Sequence, residues 1–194
     1  MTTFVPRTDT LITPVLLGVR NCLREALVAT PAGPVMRAYL WHGQTPPTME
    51  GCACTGEDPV SGRGTNGDAW VRRVSVQPDF GREGNTVITR PGGAAGACLL
   101  GWFVIAEMGT YRCIPIPKEG EPLPEDHITA TSIMLDADED VLREVLSCCG
   151  ELHHRDALEV MTVPVRRANC GGKIMTFRFH VTNNRGCPEP RMSS

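Results

Sequence analysis

The chain has 194 residues, 41% of them hydrophobic, and a formal net charge of −3. This size predicts one globular domain, and the charge argues against nucleic-acid binding as the main role, because nucleic-acid-binding proteins are usually basic. No apolar stretch approaches the roughly 20 residues of a membrane span, and the N-terminus lacks a signal-peptide cleavage pattern. We therefore expect synthesis in a cytoplasm and no membrane partner.

An amphipathic helix is the first predicted element, over residues 16–28. Its apolar face carries Leu16, Val19, Leu23, Ala26 and Leu27, at the spacing of a helix. Turn-forming residues at Thr30–Pro34 end it. Strands are then predicted at Val35–Trp41 and Ala69–Val76. Between them, residues 43–67 are rich in Gly and Pro and predict a long surface loop.

A hairpin is predicted in the middle of the chain, after a second Gly-rich loop at residues 81–97. Its first strand is Cys98–Met108, which contains Trp102, Phe103, Val104 and Ile105. Gly109 is interpreted as the break, and Tyr111–Ile116 as the partner strand.

A second helix is predicted from the prolines at 122 and 124 to about Cys149, with Glu125 and Asp126 suited to its N-terminal end. Its buried stripe comprises Met134, Leu135, Val141, Leu142, Val145 and Leu146. Its solvated side comprises Asp136, Asp138, Glu139, Asp140 and Glu144. Gly150 is its predicted stop.

Two closing strands, Leu158–Val165 and Ile174–Val181, complete the prediction. In the second, Met175, Phe177, Phe179 and Val181 alternate with a mostly polar set, which indicates one covered and one open sheet face. The fold class is therefore α+β, with a mostly antiparallel sheet, two main helices packed on one face and long surface loops. We expect a single domain at 1–182, with loops 43–67 and 81–97 as insertions, and a flexible tail at 183–194.

Metal or thiol chemistry is the first functional class to weigh, because the chain has nine cysteines. The candidate zinc ligands are Cys52, Cys54, Cys148, Cys149, His153 and His154. Their CxC and CC spacings are not the usual zinc knuckles, so buried and loop thiols, reduced by default in a cytoplasm, are the better interpretation. No nucleophile motif or phosphate loop is present. We therefore predict no catalytic, cofactor-binding or metal residues, and a small zinc- or thiol-dependent enzyme is the alternative of another class.

Charged clusters have plain interpretations as well. The run Asp136–Asp140 lacks the central Gly and closing Glu of a calcium loop, and a solvated helix face is favoured, which could line an acidic channel. In the pairs Arg72–Arg73 and Arg166–Arg167, adjacent strand residues point to opposite faces. Neither pair therefore forms one basic patch.

Three stretches together resemble a known family. They are DAWVRRVSVQPDF at Asp68–Phe80, GWFVIAEMGTYRCIPIPKEGEPLPEDH at Gly101–His127, and VPVRRANCGGKIMTFRFHV at Val163–Val181. The combination resembles the small head–tail joining proteins of long-tailed actinobacterial phages, particularly tail terminators. The similarity covers roughly residues 16–181, by pattern rather than by a diagnostic motif.

The resemblance implies a structural virion protein at the tail–neck region. Tail terminators have an N-terminal helix, strands, a helix against the sheet and closing strands. They form a hexameric ring that ends polymerisation of the tail tube at its head-proximal end. The implied partners are further copies, the major tail tube protein and a neck or stopper protein, with genomic DNA crossing the lumen without specific binding. The long loops and nine cysteines depart from the family, so a head-to-tail stopper or connector ring is the alternative.

Overall fold

The computed structural model describes residues 7–48, 67–79, 82–83, 86–87, 100–115, 117, 120–167 and 169–182. The helices are α1 (Arg7–Ala26), a 3₁₀ turn (Leu27–Ala29) and α2 (Glu125–Cys148). The strands are β1 (Arg37–Trp41), β2 (Asp68–Asp79), β3 (Arg82–Glu83), β4 (Thr86–Val87), β5 (Gly101–Cys113), β6 (Leu158–Arg167) and β7 (Cys170–Thr182). Five strands form one sheet in the order β1-β2-β5-β7-β6, with both helices packed on one face. The predicted α+β class is confirmed.

The first helix begins nine residues before its predicted start. The apolar stripe continues towards the N-terminus through Ile12 and Val15, which are 0% and 2% exposed. Pro14 lies inside α1, where it lacks the amide that would bond to the preceding turn. Burial of the stripe offsets that missing bond, so the helix extends through a residue that usually ends one.

The sheet is mixed because its first two strands are parallel. β1 pairs with β2 in parallel, whereas β2–β5, β5–β7 and β7–β6 are antiparallel. Parallel neighbours need a connection that returns the chain to the same end of the sheet. The long segment between Trp41 and Asp68 makes this return, and its residues 49–66 lie outside the described residues.

The predicted hairpin at Gly109 is wrong, since β5 runs without a break from Gly101 to Cys113. Gly109 stands opposite Trp70 in the ladder. A Cβ atom at position 109 would lie 2.8 Å from the indole Cζ2 atom of Trp70. The glycine therefore gives space to a fully buried indole and does not form a turn.

The main core lies between the helices and one face of the sheet. From β7 it takes the predicted apolar set, Met175, Phe177, Phe179 and Val181, each at most 3% exposed. From α2 it takes Val141, Leu142 and Val145, as predicted. The opposite face has a smaller buried cluster of Trp70, Tyr111 and Ile174. We call the two sides the helix face and the open face.

Several predictions fall on segments outside the described residues. These are most of loops 43–67 and 81–97, the start of the strand predicted at Cys98, and the tail at 183–194. Within the second loop the structure describes only β3 and β4, which pair with each other as a two-stranded sheet.

Candidate functional site

The cysteines considered for metal or thiol chemistry are partly committed to disulfides. Cys149, at the C-terminal cap of α2, is bonded to Cys22 of α1, with 5.9 Å between their Cα atoms. The expectation of a reduced thiol is wrong for this pair, and Cys149 has no thiolate left for a metal. Cys113 and Cys170, cross-strand partners in the sheet, are not free thiols either.

The other candidate zinc ligands do not form one cluster of side chains. Cys148 is an exposed free thiol, and the exposed rings of His153 and His154 contact each other with centroids 4.6 Å apart. No group of three His, Cys, Asp or Glu side chains could hold a metal ion among the described residues. Cys52 and Cys54 lie outside them. The structure therefore does not bring together the ligands that a zinc site would need.

The prediction that Asp138 lies on the solvated side of α2 is wrong, because its side chain is buried. Its carboxylate accepts two hydrogen bonds from the Arg112 guanidinium, at 2.8 and 3.0 Å, and both side chains are 0% exposed. The same guanidinium donates to the Gly33 carbonyl and the Thr30 hydroxyl. A buried charge requires such a set of partners. This pair joins β5, α2 and the turn before β1, so its role is structural.

A second carboxylate of α2 is also paired. Glu139 accepts hydrogen bonds from Lys173 of β7 and from Arg143. The hydrogen bond from Lys173 is the main cause that lowers the pKa of Glu139, and the same contact raises the pKa of Lys173. In the second half of this helix the exposed carboxylates are Asp136, Asp140 and Glu144, of which Asp136 also lies 3.4 Å from Lys173 and Asp140 4.0 Å from Arg143. They are four residues apart and form one line, which we call the acidic stripe.

The two arginine pairs lie as the alternation of strand side chains predicts. Arg72 is 5% exposed on the open face and donates to Glu107 at 2.7 Å. Arg73 is exposed and lines a small cavity beside α1. Arg166 lies near α2 at the edge of the sheet, and Arg167 next to it is also exposed. Neither pair forms a basic patch.

The segment after β1 folds over the open face. The Tyr111 hydroxyl donates to the Pro47 carbonyl at 3.0 Å, and Arg72 donates to the Gln44 carbonyl at 2.6 Å. Burial is the main cause that raises the pKa of Tyr111 to about 12. Trp41 donates to the Thr45 carbonyl. These bonds cover the end of the open face that holds Trp70.

The rest of the open face carries exposed apolar side chains. They are Phe103 of β5 and Leu158, Val160 and Met161 of β6, between 44% and 58% exposed; we call them the β6 patch. Exposed apolar groups that cluster in this way mark interaction surfaces more often than isolated ones do. The sequence predicts a strand here, but its exposed apolar patch was not predicted. The available signal was the lack of polar alternation in Leu158–Val165.

A groove of about 370 Å³ lies between α2 and the far half of β6. Its walls include Ile114, Ile128, Leu135, Pro164, Val165 and Arg166. At its floor, a Cβ atom on Gly171 would lie 3.2 Å from Ile114. We call it the α2–β6 groove. It is an apolar depression beside an edge strand, with one cationic side chain in its lining.

A more polar cavity of about 340 Å³ lies at the other end of the open face. His180 lies there, with its Nε2 atom 3.0 Å from Oδ2 of Asp79 and its ring 5.0 Å from that of Phe103. Arg178 and Leu158 also line this cavity. It therefore adjoins the β6 patch and adds polar groups to its margin.

No protein-family model and no curated protein matches the chain. Neither helix that the structure describes is long and apolar enough to cross a membrane.

Proposed function

We propose that this protein is a structural virion component of the tail–terminator type. It forms a homo-oligomeric ring, a hexamer, at the head-proximal end of a phage tail tube, where it ends tube polymerisation and joins the tail to the neck. The alternative within the same class is a head-to-tail stopper or connector ring. Support comes from the resemblance of the sequence and from the element order: N-terminal helix, strands, helix against the sheet, closing strands.

The observation that carries the proposal is the β6 patch beside an edge strand. Leu158, Val160 and Met161 are each more than half exposed. An edge strand also offers unpaired backbone donors and acceptors to another chain. A surface that combines exposed apolar side chains with unpaired backbone groups is costly to leave in water and is suited to contact with a neighbouring subunit. Assembly is therefore favoured over catalysis as the role of this surface.

The zinc- or thiol-dependent enzyme receives less support. Cys149 is bonded to Cys22, while Cys148 is an exposed free thiol. A nucleophilic thiol would need a base within hydrogen-bond reach. We therefore propose that the protein is not an enzyme and has no cofactor.

The acidic stripe suits the lumen of such a ring. DNA carries a dense negative charge, so the exposed carboxylates of Asp136, Asp140 and Glu144 would disfavour adhesion, although Lys173 and Arg143 offset part of the charge of the first two. In this proposal the genome crosses the ring without specific binding. Strong retention of DNA by the assembled protein at low salt would contradict this part.

Electron microscopy of particles made without this protein tests the proposal. Overlong or headless tails are the expected result, because tube growth would lack its stop. Filled heads that leak DNA while tails keep normal length would instead indicate a stopper. Particles with normal heads, necks and tails would refute both.

Complementation with surface variants adds a matched comparison. Met161→Lys places a charge in the β6 patch, and Leu17→Lys places one at an exposed apolar position of α1. Met161→Lys should fail to restore normal tails, whereas Leu17→Lys should restore them. If both variants restored normal tails equally well, the β6 patch would not be needed for assembly.

A further inference from the structure

The two edges of the sheet run in opposite directions. β1 is parallel to β2, and three antiparallel steps lead from β2 to β6. When two copies lie side by side with the same face up, β6 of one copy is therefore antiparallel to β1 of the next. No strand pairs with the outer side of either edge in the part of the chain that the structure describes.

The ladder fixes which backbone groups of β6 face outward. The Ile114 amide, beside β5, donates to the Asn169 carbonyl, beside β7. Because the backbone N–H and C=O groups of successive strand residues point to alternate sides, odd-numbered residues of β7 direct these groups towards β5 and even-numbered residues direct them towards β6. In β6, residues 163 and 165 then face β7, because they pair with 174 and 172. Thr162, Pro164 and Arg166 face outward. A proline is tolerated at an edge only in this orientation, since it has no amide to donate.

The same alternation orients the β1 edge. Odd-numbered residues of β5 face β2, so Trp70 and Arg72 face β5, whereas Ala69 and Val71 face β1. In the parallel ladder, Arg37, Tyr39 and Trp41 then face β2. Ala38 and Leu40 face outward, and both pack on the helix face. The outward residues of β6 also lie on that face, so the two edges match in stereochemistry.

We infer that β1 of a second copy adds to β6 of the first, with Pro164 opposite Ala38 of the second copy. In that pair the Ala38 amide donates to the Pro164 carbonyl, while Pro164 has no amide to return. In this register Thr162 lies opposite Leu40, and on the open face Val163 lies opposite Tyr39 and Met161 opposite Trp41. Aromatic side chains opposite aliphatic ones stabilise antiparallel pairs. Moving the register by two residues in one direction would place Arg37 opposite Arg167, and like charges opposed in this way are unfavourable. Moving it by two in the other direction would place Leu40 opposite Val160, which the register shift between Glu159 and Met161 leaves out of the regular ladder.

The register also provides an occupant for the α2–β6 groove. It places Met36 of the second copy beside Arg166, which lines that groove. Met36 is 42% exposed directly before β1, and Ile128 at the groove wall is 52% exposed. A flexible thioether side chain fills irregular apolar gaps well. Sheet pairing and groove filling are therefore parts of one contact.

Cross-linking between two single variants tests the register. Tyr39→Cys and Val163→Cys, each in a Cys148→Ser background, are mixed and oxidised. Positions 39 and 163 form a non-hydrogen-bonded pair, with Cα atoms about 4.5 Å apart, within disulfide range. Dimers with a mapped 39–163 bond should form roughly tenfold more than with the control Val165→Cys, whose diagonal distance of about 7 Å is too long.

Hydrogen exchange of the unmodified chain gives an independent measurement. On self-association the outward amide of Thr162, which faces Leu40 of the second copy, should exchange roughly tenfold or more slowly, whereas those of Val163 and Val165 should be protected throughout. Ile128→Glu should weaken association, and Ile133→Glu, equally exposed on α2 but outside the groove lining, should not. Cross-links of Val163→Cys with itself would overturn the inference in favour of a two-fold β6–β6 contact. A chain that stays monomeric, or that associates without protecting Thr162, would also overturn it.

This inference rests on the proposed function only for the choice of a second copy as the partner. If edge pairing is found but particles without the protein have normal tails, the proposed function fails alone. If tails become overlong but the β6 edge stays unprotected in the assembly, the inference fails alone.

Discussion

Removal of the Asp138 carboxylate should be among the most destabilising single changes in this domain. Asp138→Ala removes the carboxylate that pairs with the fully buried Arg112 guanidinium, while the contacts of Arg112 with the Gly33 carbonyl and the Thr30 hydroxyl are kept. Breaking a buried ion pair in this way costs about 3–5 kcal/mol. For a domain of this size that corresponds to a fall in Tm of roughly 6–20 °C. Total stabilities of about 5–15 kcal/mol make this loss a large fraction.

Urea unfolding followed by circular dichroism measures the effect. The control is Asp140→Ala on the same helix, where the side chain is 83% exposed and a change within about 0.5 kcal/mol is expected. Replacing both partners, with Arg112→Met and Asp138→Leu, should recover part of the loss, because no unpaired charge remains. The recovery should be incomplete, since the Gly33 carbonyl loses its donor at a cost of about 1–3 kcal/mol. An Asp138→Ala cost within 1 kcal/mol of the Asp140→Ala cost would refute the reasoning.

Three further predictions concern stability. Cys22→Ser opens the disulfide to Cys149 across a separation of 127 residues, so the unfolding free energy should fall by about 2–5 kcal/mol; a reductant that leaves wild-type stability unchanged would contradict this. Gly109→Ala should cost about 1–3 kcal/mol through overpacking against an indole, whereas Gly150→Ala, with open space around it, should cost little; equal midpoints in urea would count against it. Because burial raises the pKa of Tyr111 from 10.0 to about 12, stability should be full below pH 10 and fall by up to about 2–3 kcal/mol as pH rises through 12. In Tyr111→Phe, pH-dependent unfolding should lose the Tyr111 part of this slope and keep the part due to Tyr39, whose pKa burial also raises.

The elements with clear periodicity could be predicted from the sequence. The core set of β7 alternates with period two, and Met175, Phe177 and Phe179 are buried as that pattern requires. Helix α2 is bounded by proline and glycine, and its observed limits differ little from the predicted ones. These predictions succeeded because local pattern and tertiary burial coincide.

The predictions that the structure contradicts have a common physical cause: the residue that determines each feature lies far along the chain. Gly109 is shaped by Trp70, 39 positions earlier, so its local context resembles a turn. Asp138 lies in an acidic run that looks solvated, and only its pairing with Arg112, 26 positions away, explains why it is buried. Periodicity cannot identify such partners, because it records which face is apolar and not what lies opposite.

The candidate site was missed for a related reason. A strand such as Leu158–Arg167 has the same composition whether it is central or at an edge, and its exposure follows from sheet order alone. Besides the lack of polar alternation in Leu158–Val165, Pro164 is a local clue, because a proline inside a strand indicates an edge.

The edge contact also bears on how a ring could close. Because β6 and β1 are different surfaces, each added copy leaves one edge free, and such head-to-tail contacts give either a ring or an open filament. Sheet pairing alone tolerates a range of twist between strands, so it does not fix the number of copies. The helix layer can fix it: the junction brings α2 of one copy towards α1 of the next, since α1 packs over β1 and β2 while α2 packs against β7. The closure angle should therefore depend on the size of the side chains between these helices. Enlarging or shrinking them should change the number of copies before it abolishes association.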